Sequence, residues 1–151
     1  KMDIDIFTDG SLMRKSGDVY CGYGIYFPNG ENDNISKKFD KDLITNNRAE
    51  LYAIYKSLKI FKKILKKKEI EKINIYSDSE YSIKTFTVWY KNWIKNGKEY
   101  KNKDIINKTV KLINKLNIVN FIHIKSHTGK NDYCSLCNNC ADELAKGGAL
   151  K

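Results

Sequence analysis

The sequence predicts an α/β fold in which helices flank a sheet of mixed strand direction. Three observations support this. β-type segments near the N-terminus are separated by turn residues, an apolar helical stripe follows, and β-type and helical segments then alternate to the end. At 151 residues the chain has the size of one domain that can bury a core without disulfides. We therefore expect a single domain over residues 1–151.

The first three strands are predicted to form an antiparallel meander. Apolar and polar side chains alternate in the first segment, and the second is aromatic and β-branched. We expect the first strand to end at Asp9-Gly10-Ser11, and the Pro-Asn-Gly turn at 28–30 to lead into the third strand. The predicted strands are residues 3–9, 19–27 and about 34–39.

The first helix is predicted to start at Thr45-Asn46, because one apolar stripe follows at spacings of three and four residues. The stripe consists of Leu51, Ile54, Leu58, Phe61 and Leu65. Strands and helices alternate after it. We expect a strand at 72–77, a helix from Ser79 to about residue 95, a helix at 104–116, a strand at 118–125 and a last helix from about 138 to 147.

Four acidic residues lie at the ends of predicted elements or on the first turns of helices. Asp9 and Asp78 each end a strand, and they face each other if the first and fourth strands are parallel neighbours. Glu50 and Asp142 are brought in by their helices. Carboxylate oxygens are the ligands that Mg2+ prefers, and two such ions can clamp both reacting oxygens of a phosphodiester. The quartet therefore predicts a two-metal phosphodiesterase.

Each acid also has an ordinary local interpretation. Asp9 could form a turn, and Asp78 could cap a helix. Glu50 could be a first-turn residue stabilised by the helix dipole, and Asp142 could be a solvated helical residue. Local roles do not predict four motifs in one order, namely TDGS, TNNRAEL, YSDSEY and NNCADELA. We therefore favour the shared site.

The formal net charge of +10 supplies basic surroundings for a polyanion. Lysines cluster at 59–72, where we favour a solvated helix face, and at 91–103. In the second cluster lysines alternate with aromatic residues, a pattern that suits phosphates and stacked rings. No apolar run approaches the roughly 20 residues of a membrane span. The absence of a secretory signal predicts an intracellular protein, in the cytoplasm or nucleus, or a fragment.

The four cysteines fall into two groups. Cys21 lies in an apolar strand pattern and is expected in the core. Cys134, Cys137 and Cys140 form C-x-x-C-x-x-C, which could bind zinc with His127 or His123 as a fourth ligand. A second, distant ligand pair is missing, so we favour incidental thiols in a loop.

The segments DGS, NRAEL, SDSEY, IKSHTG and N-x-x-x-D-E-L-A, in this order, closely resemble the type 1 ribonuclease H family in its cellular form. The similarity extends from Ile4 to Ala149. It implies the ribonuclease H-like fold, with sheet order 3-2-1-4-5. It also implies endonucleolytic cleavage of the RNA strand of RNA/DNA hybrids, leaving 3′-hydroxyl and 5′-phosphate ends. Two Mg2+ or Mn2+ ions would be held by Asp9, Glu50, Asp78 and Asp142.

The resemblance further assigns roles to other residues. His127 matches the family's mobile histidine, which assists metal and product turnover or proton transfer, and Asn138 matches the asparagine of the last motif. The implied contacts to the RNA strand are Gly10, Ser11, Asn46 and Asn47. The implied contacts to the DNA strand are Thr45 and Asn96 at a phosphate, Tyr81 and Trp89 under the sugars, and the basic protrusion at 89–103, with Trp93 and Lys98.

Three positions depart from the family pattern. Leu43 stands where some members carry a phosphate-binding arginine, Ser126 replaces a glycine, and the loop from His127 to Asp142 is longer and holds three cysteines. We expect a monomer that binds an RNA/DNA hybrid and no membrane. Membership of a larger replication or reverse-transcription protein stays open. The competing functions are a non-catalytic nucleic-acid-binding module and another nuclease, such as a junction resolvase or exonuclease.

Overall fold

A computed structural model describes residues 2–64, 69–126 and 129–151. Its five strands are β1 (Met2–Lys15), β2 (Asp18–Tyr26), β3 (Ile35–Lys38), β4 (Ile70–Ser77) and β5 (Val119–His123). They form one sheet in the order β3-β2-β1-β4-β5. β1–β2 and β2–β3 are antiparallel, whereas β1–β4 and β4–β5 are parallel. The predicted mixed sheet and its strand order are confirmed.

The helical elements are α1 (Asn46–Ile64), α2 (Glu80–Lys84), a π-helical turn (Thr85–Trp89), α3 (Tyr90–Lys95), α4 (Lys103–Leu116) and α5 (Tyr133–Ala149). The predicted stripe of α1 is fully buried at Leu51, Ile54, Leu58 and Phe61. Leu65 lies outside the described residues. None of the helices within the described ranges combines the length and apolarity needed to cross a membrane.

β1 is longer than predicted, and Asp9-Gly10-Ser11 does not end it. These residues pair with Gly24, Tyr23 and Gly22 of β2, and the ladder continues to Lys15 opposite Asp18. The actual turn is at Ser16 and Gly17, which both have positive φ. The prediction was wrong because a local turn signal was outweighed by pairing along the full length of β2.

The two faces of the sheet carry different helices. Ile4 and Ile6 of β1 belong to the larger core with α1 and α4, whereas Phe7 packs with Cys137 and Ala141 of α5. This follows from the alternation of side chains along a strand. Asp9 has the same parity as Phe7, and it therefore lies on the α5 side of the sheet.

α5 approaches β2 so closely that two strand positions must be glycine. A Cβ at Gly24 would lie 2.5 Å from the carbonyl oxygen of Ala141, and one at Gly22 would lie 2.2 Å from the backbone nitrogen of Ala149. Gly24 is also the ladder partner of Asp9. The backbone contact therefore brings the segment that carries Asp142 beside Asp9.

α5 begins at Tyr133, five positions before the predicted start. Asp132 caps it, because its side chain accepts a hydrogen bond of 2.8 Å from the backbone N–H of Ser135. From the sequence alone, this Asp was expected to belong to a loop. Cys134, Cys137 and Cys140 consequently lie in a helix, and their predicted loop setting was wrong.

Candidate active site

Three carboxylates meet at one edge of the sheet. Asp9 comes from β1, Asp78 follows β4, and Glu50 comes from α1. Thr8 and Ser77 are partners in the parallel ladder, so the residues that follow them, Asp9 and Asp78, lie at the same level. Each of the three carboxylates offers one oxygen, and these oxygens lie within 4.8 Å of one another. The sheet register and one helix thus create an acidic triad.

Gly10 joins the strand to the helix. Its N–H donates to Oε1 of Glu50, and it also lies 2.9 Å from Oδ1 of Asp9. A Cβ at Gly10 would lie only 2.7 Å from the backbone nitrogen of Glu50. The absence of a side chain therefore lets α1 approach β1 and fixes the Glu50 carboxylate beside Asp9.

Burial and mutual repulsion make the charged forms of these acids costly. Asp9 is 4% exposed, and burial followed by the charge of Asp78 raises its pKa to about 8. Burial and the nearby Asp9 raise the pKa of Glu50 well above its usual range. Like charges in a desolvated site disfavour ionisation. A bound cation would relieve this cost.

Asp142 lies beside Asp9 but outside the triad. It contributes to the raised pKa of Asp9, and its Oδ2 is 2.9 Å from Nζ of Lys146, one turn further along α5. Lys146 was not identified from the sequence. The only signal for it was the i,i+4 spacing from an acidic residue on a helix.

Asn138 supplies a buried amide to the site. It is 3% exposed, and its Nδ2 donates to Oδ2 of Asp78 over 3.4 Å. Its Oδ1 is buried and has no hydrogen-bond partner among the described residues. An unsatisfied buried oxygen on a side chain that contacts Asp78 suits a hard cation, whose preferred ligands are oxygen atoms. The residues present therefore fit a divalent metal ion.

Two of the local interpretations fail. Asp9 lies within a strand rather than in a turn. Asp78 does not cap α2, because the side chain of Ser79 accepts the hydrogen bond from the backbone N–H of Ser82. His123, considered as a zinc ligand and otherwise expected to face the opposite side of the sheet, has its Nε2 3.3 Å from the carbonyl oxygen of Asp78 and so lies at the same edge. His127 lies outside the described residues.

The residues expected to contact RNA lie around the start of α1 and along β1. Asn46 and Asn47 are the first residues of α1 and are exposed, whereas Ser11 is buried. Thr45 is exposed and caps the helix, because its Oγ1 accepts a hydrogen bond of 3.0 Å from the backbone N–H of Arg48. The two amides are therefore presented at the helix end nearest Glu50.

Four aromatic rings form a row along the segment from Tyr81 to Tyr100. The ring centroids are 6.0 Å apart between Tyr81 and Trp89, 6.1 Å between Trp89 and Trp93, and 5.0 Å between Trp93 and the stacked Tyr100. Asn96 ends α3 and is exposed, as is Lys98. Exposed lysines thus flank a ring-lined surface, in the alternation that the sequence shows.

A polar network around the buried Arg48 was not foreseen from the sequence. Asn102 donates to the hydroxyl of Tyr81 over 2.9 Å and accepts from Nη1 of Arg48 over 3.3 Å. Arg48 is 2% exposed and is also ion-paired with Asp104. The network ties the first aromatic ring to the start of α1. The sequence carries no periodic signal for it, because Arg48 stands among the polar residues Asn46, Asn47 and Glu50.

Zinc binding by the cysteines receives no support. Within the described part of the chain, the triad is the one group of three or more potential ligands whose atoms lie mutually within 4.8 Å. Cys134, Cys137 and Cys140 do not form such a group. Burial raises the pKa of Cys137 to about 11, so this thiol is protonated at neutral pH in the metal-free protein.

Comparison with known proteins gives consistent matches. The family model of RNase H matches residues 1–150. A probable ribonuclease H of Acanthamoeba polyphaga mimivirus is 36% identical over 86% of this chain and 58% of its own length. The ribonuclease H of Schizosaccharomyces pombe is 37% identical over 95% of this chain and 52% of its own length. The chain thus spans about half the length of these two relatives.

A shorter relative is covered almost completely. The ribonuclease H of Acetivibrio thermocellus is 33% identical over 95% of both chains. Among solved structures, LC11-RNase H1 in complex with an RNA/DNA hybrid matches with a TM-score of 0.69 and 23% identity, over 97% of this chain and 96% of that chain. The PFV RNase H domain matches with a TM-score of 0.74 and 21% identity, over 97% and 94%. The structural matches show the same fold, and the sequence matches show that this chain belongs to the RNase H family.

Proposed function

We propose that this chain is an endonuclease that hydrolyses the RNA strand of RNA/DNA hybrids and leaves 3′-hydroxyl and 5′-phosphate ends. The observation that carries the proposal is the triad of Asp9, Glu50 and Asp78, whose oxygens lie within 4.8 Å of one another. The relatives named ribonuclease H support the same activity.

Asp9, Glu50, Asp78 and Asp142 would hold two Mg2+ ions, with Mn2+ as a substitute. When bound, such a pair activates the attacking water and stabilises the leaving 3′-oxygen. The chain itself orients the ligands. The N–H of Gly10 fixes Glu50, and Asn138 holds Asp78 through its amide nitrogen. Lys146 neutralises Asp142 in the metal-free site. His127 is proposed to assist proton transfer or product release.

The proposed substrate surface extends from the carboxylates to the start of α1 and to the aromatic row. Asn46 and Asn47, together with Gly10 and Ser11, are proposed to contact the RNA strand, where the 2′-hydroxyl distinguishes RNA from DNA. The proposed DNA-strand contacts are Thr45, Asn96, Tyr81, Trp89, Trp93 and Lys98. LC11-RNase H1 has been solved with an RNA/DNA hybrid, which supports this class of substrate.

The proposal is tested with three end-labelled substrates of one sequence: an RNA/DNA hybrid, a duplex RNA and a single-stranded RNA. Each is incubated with Mg2+ and, separately, with a chelator. We expect cleavage of the hybrid alone, only with metal, and its loss in Asp78→Asn. Binding without cleavage would identify a binding module, and cleavage of all three substrates would identify a general nuclease. Full Mg2+-dependent activity of Asp78→Asn would contradict the assignment of the site.

We further propose that residues 1–151 form one domain and act as a monomer on the hybrid, alone or within a larger replication or reverse-transcription protein. Light scattering during size-exclusion chromatography measures the mass directly. A mass near 17.5 kDa is expected, and a mass near twice that value would contradict the monomer.

A further inference from the structure

A lysine-rimmed cleft lies between α1 and α4. The two helices run side by side in the same direction, because Arg48 pairs with Asp104 at their starts and Lys108 lies 4.5 Å from the ring of Tyr55 further along. The cleft has a volume of about 480 Å³. Its rim consists of Lys59, Lys62, Lys63, Lys108, Lys111 and Lys115. It begins at Tyr55, a little more than one helical turn beyond Glu50, and extends away from the carboxylates.

The charge of the cleft exceeds what the helices alone explain. Cations in a last helical turn are favoured by the helix dipole, which accounts for Lys62, Lys63 and Lys115. Lys59, Lys108 and Lys111 lie before the last turn and gain little from this effect. No carboxylate lines the cleft within the described part of the chain. Six like charges around one cavity repel one another, and a polyanionic occupant would stabilise them.

Lys56, which lies next to the cleft, is also surrounded by positive charges. Burial, followed by the charge of Lys59 and of other lysines, lowers the pKa of Lys56, which lines an adjoining cleft of about 340 Å³. That second cleft shares Lys59 and Lys63 with the first. The basic surface therefore continues around α1 and is not confined to one isolated side chain.

The shape and floor of the cleft favour a peptide over a nucleic acid. A cleft of about 480 Å³ between two packed helices has room for a short stretch of one extended chain and not for a duplex. Single-stranded nucleic acids bind through free aromatic faces as well as charge. Among the described residues, Tyr55 is the one aromatic side chain in the lining, so successive bases would have a single ring on which to stack. Leu112 and the ring of Tyr55 form an apolar floor.

We propose that this cleft binds an acidic peptide segment of a partner protein, with carboxylates on the lysine rim and an apolar side chain against Leu112 and Tyr55. The site is separate from the carboxylate triad and does not depend on the proposed nuclease activity. The occupant must carry negative charge to pair with the lysine rim, and it must carry spaced apolar residues to pack on the floor.

The test uses the whole chain and a fluorescein-labelled peptide of sequence EDLEDLED, with binding measured by fluorescence anisotropy at low salt. The groove variant is Lys59→Glu with Lys111→Glu. The matched control is Lys15→Glu with Lys72→Glu, which changes the net charge equally at exposed positions outside the cleft. Circular dichroism checks that both variants are folded. If the groove variant does not fold, Lys59→Gln with Lys111→Gln replaces it.

We expect the wild-type chain to bind EDLEDLED, the groove variant to bind at least tenfold more weakly, and the control to change less than twofold. The peptide EDSEDSED, which keeps the charge but lacks the leucines, should bind at least fivefold more weakly than EDLEDLED. Absence of wild-type binding, or equal affinity of all variants, would overturn the proposal. A dodecamer of thymidine that binds more tightly than EDLEDLED, and loses affinity in the same groove variant, would assign the cleft to nucleic acid instead.

Discussion

The guanidinium of Arg48 donates hydrogen bonds of 2.9 and 2.7 Å to the two carboxylate oxygens of Asp104. This bidentate pair links the first turn of α1 to the first turn of α4. The side chain of Arg48 is only 3% exposed, whereas that of Asp104 is 61% exposed. The pair therefore anchors a buried cation to a carboxylate at the surface.

Removing this carboxylate should destabilise the fold. Asp104→Ala leaves the buried guanidinium with the neutral side chain of Asn102, and we expect a loss of about 1–3 kcal/mol in the free energy of unfolding. Glu99→Ala is the matched control, because its ion pair with Lys103 is exposed to solvent and should contribute little to stability. Urea unfolding of both variants measures the difference. Equal losses would show that the buried pair has no special role.

Gly10→Ala should damage both stability and cleavage. The added Cβ would meet the backbone of Ala49 and Glu50 at 2.7–3.0 Å and push α1 away from β1, at a cost of about 1–3 kcal/mol. Gly147→Ala is the control, since that helical glycine is exposed and has one neighbour, at 3.4 Å, so about 0.4–1 kcal/mol of stabilisation is expected. Thermal unfolding and hybrid cleavage are measured on both. A fully active Gly10→Ala variant would contradict the proposed support of Glu50.

The metal-free protein should lose stability as pH rises. The pKa of Asp9 is raised from 3.8 to about 8, so between these values the native state binds a proton that the unfolded chain releases. Stability therefore falls with increasing pH across this window. In chelator, Asp9→Asn should flatten the dependence and be about 1–2 kcal/mol more stable than wild type at pH 8. Asp18→Asn, at an exposed strand end, is the control. Parallel curves for wild type and Asp9→Asn would refute the explanation.

Asn138→Ala should raise the Mg2+ concentration needed for half-maximal cleavage by about tenfold, because outer contacts that orient metal ligands typically carry effects of this size. The reason is the loss of its hydrogen bond to Asp78. The measurement is a Mg2+ titration at saturating hybrid, with chelator-treated protein as the blank. Asn120→Ala, which removes an exposed amide of β5, should leave the titration unchanged. An unaltered midpoint for Asn138→Ala would exclude this role.

Lysines of the protrusion should contribute to hybrid binding through phosphates. Replacing Lys95, Lys98 and Lys101 with Ala should weaken binding and reduce the slope of log K against log salt concentration, by up to about 0.9 for each phosphate that is no longer neutralised. The same number of substitutions in the α1–α4 cleft, at Lys59, Lys63 and Lys111, serves as the control. Binding is measured with catalytically inactive Asp78→Asn as the background. If the two triple variants give the same slope, the protrusion has no specific phosphate contacts.

Much of the fold could be predicted because its signals are local. The stripe of α1 follows from apolar spacing. Asp9 and Asp78 were both expected at one edge of the sheet, and the parallel ladder of β1 and β4 places them there, each directly after a paired residue. The strand order was correct through the resemblance to a family and not through pairing signals in the sequence. The acidic triad was predictable from the positions of its members at strand ends and on a helix start, together with that resemblance.

The remaining features depend on partners that are distant in sequence. The length of β1 is decided by β2, the close approach of α5 by Gly22 and Gly24, and the burial of Arg48 by Asp104. None of these pairings has a periodic signature. The start of α5 does have a local signal, the capping residue Asp132, which was assigned to a loop.

The π-helical turn at Thr85–Trp89 has a geometric consequence for the aromatic row. Tyr81 and Trp89 are eight positions apart, which in an uninterrupted α-helix would rotate the tryptophan about 80° away from the tyrosine. The wide turn, in which the N–H of Tyr90 donates to the carbonyl oxygen of Thr85, takes up about one extra residue and leaves an offset of about 20°. Deleting one residue from the wide turn would regularise the helix and keep Trp89 and Trp93 on the surface that they share with Tyr81, because seven α-helical positions give the same offset of about 20°. Closing the wide turn without such a deletion would instead rotate both tryptophans off that surface, so the backbone geometry of this segment, as much as side-chain identity, sets the alignment of the rings.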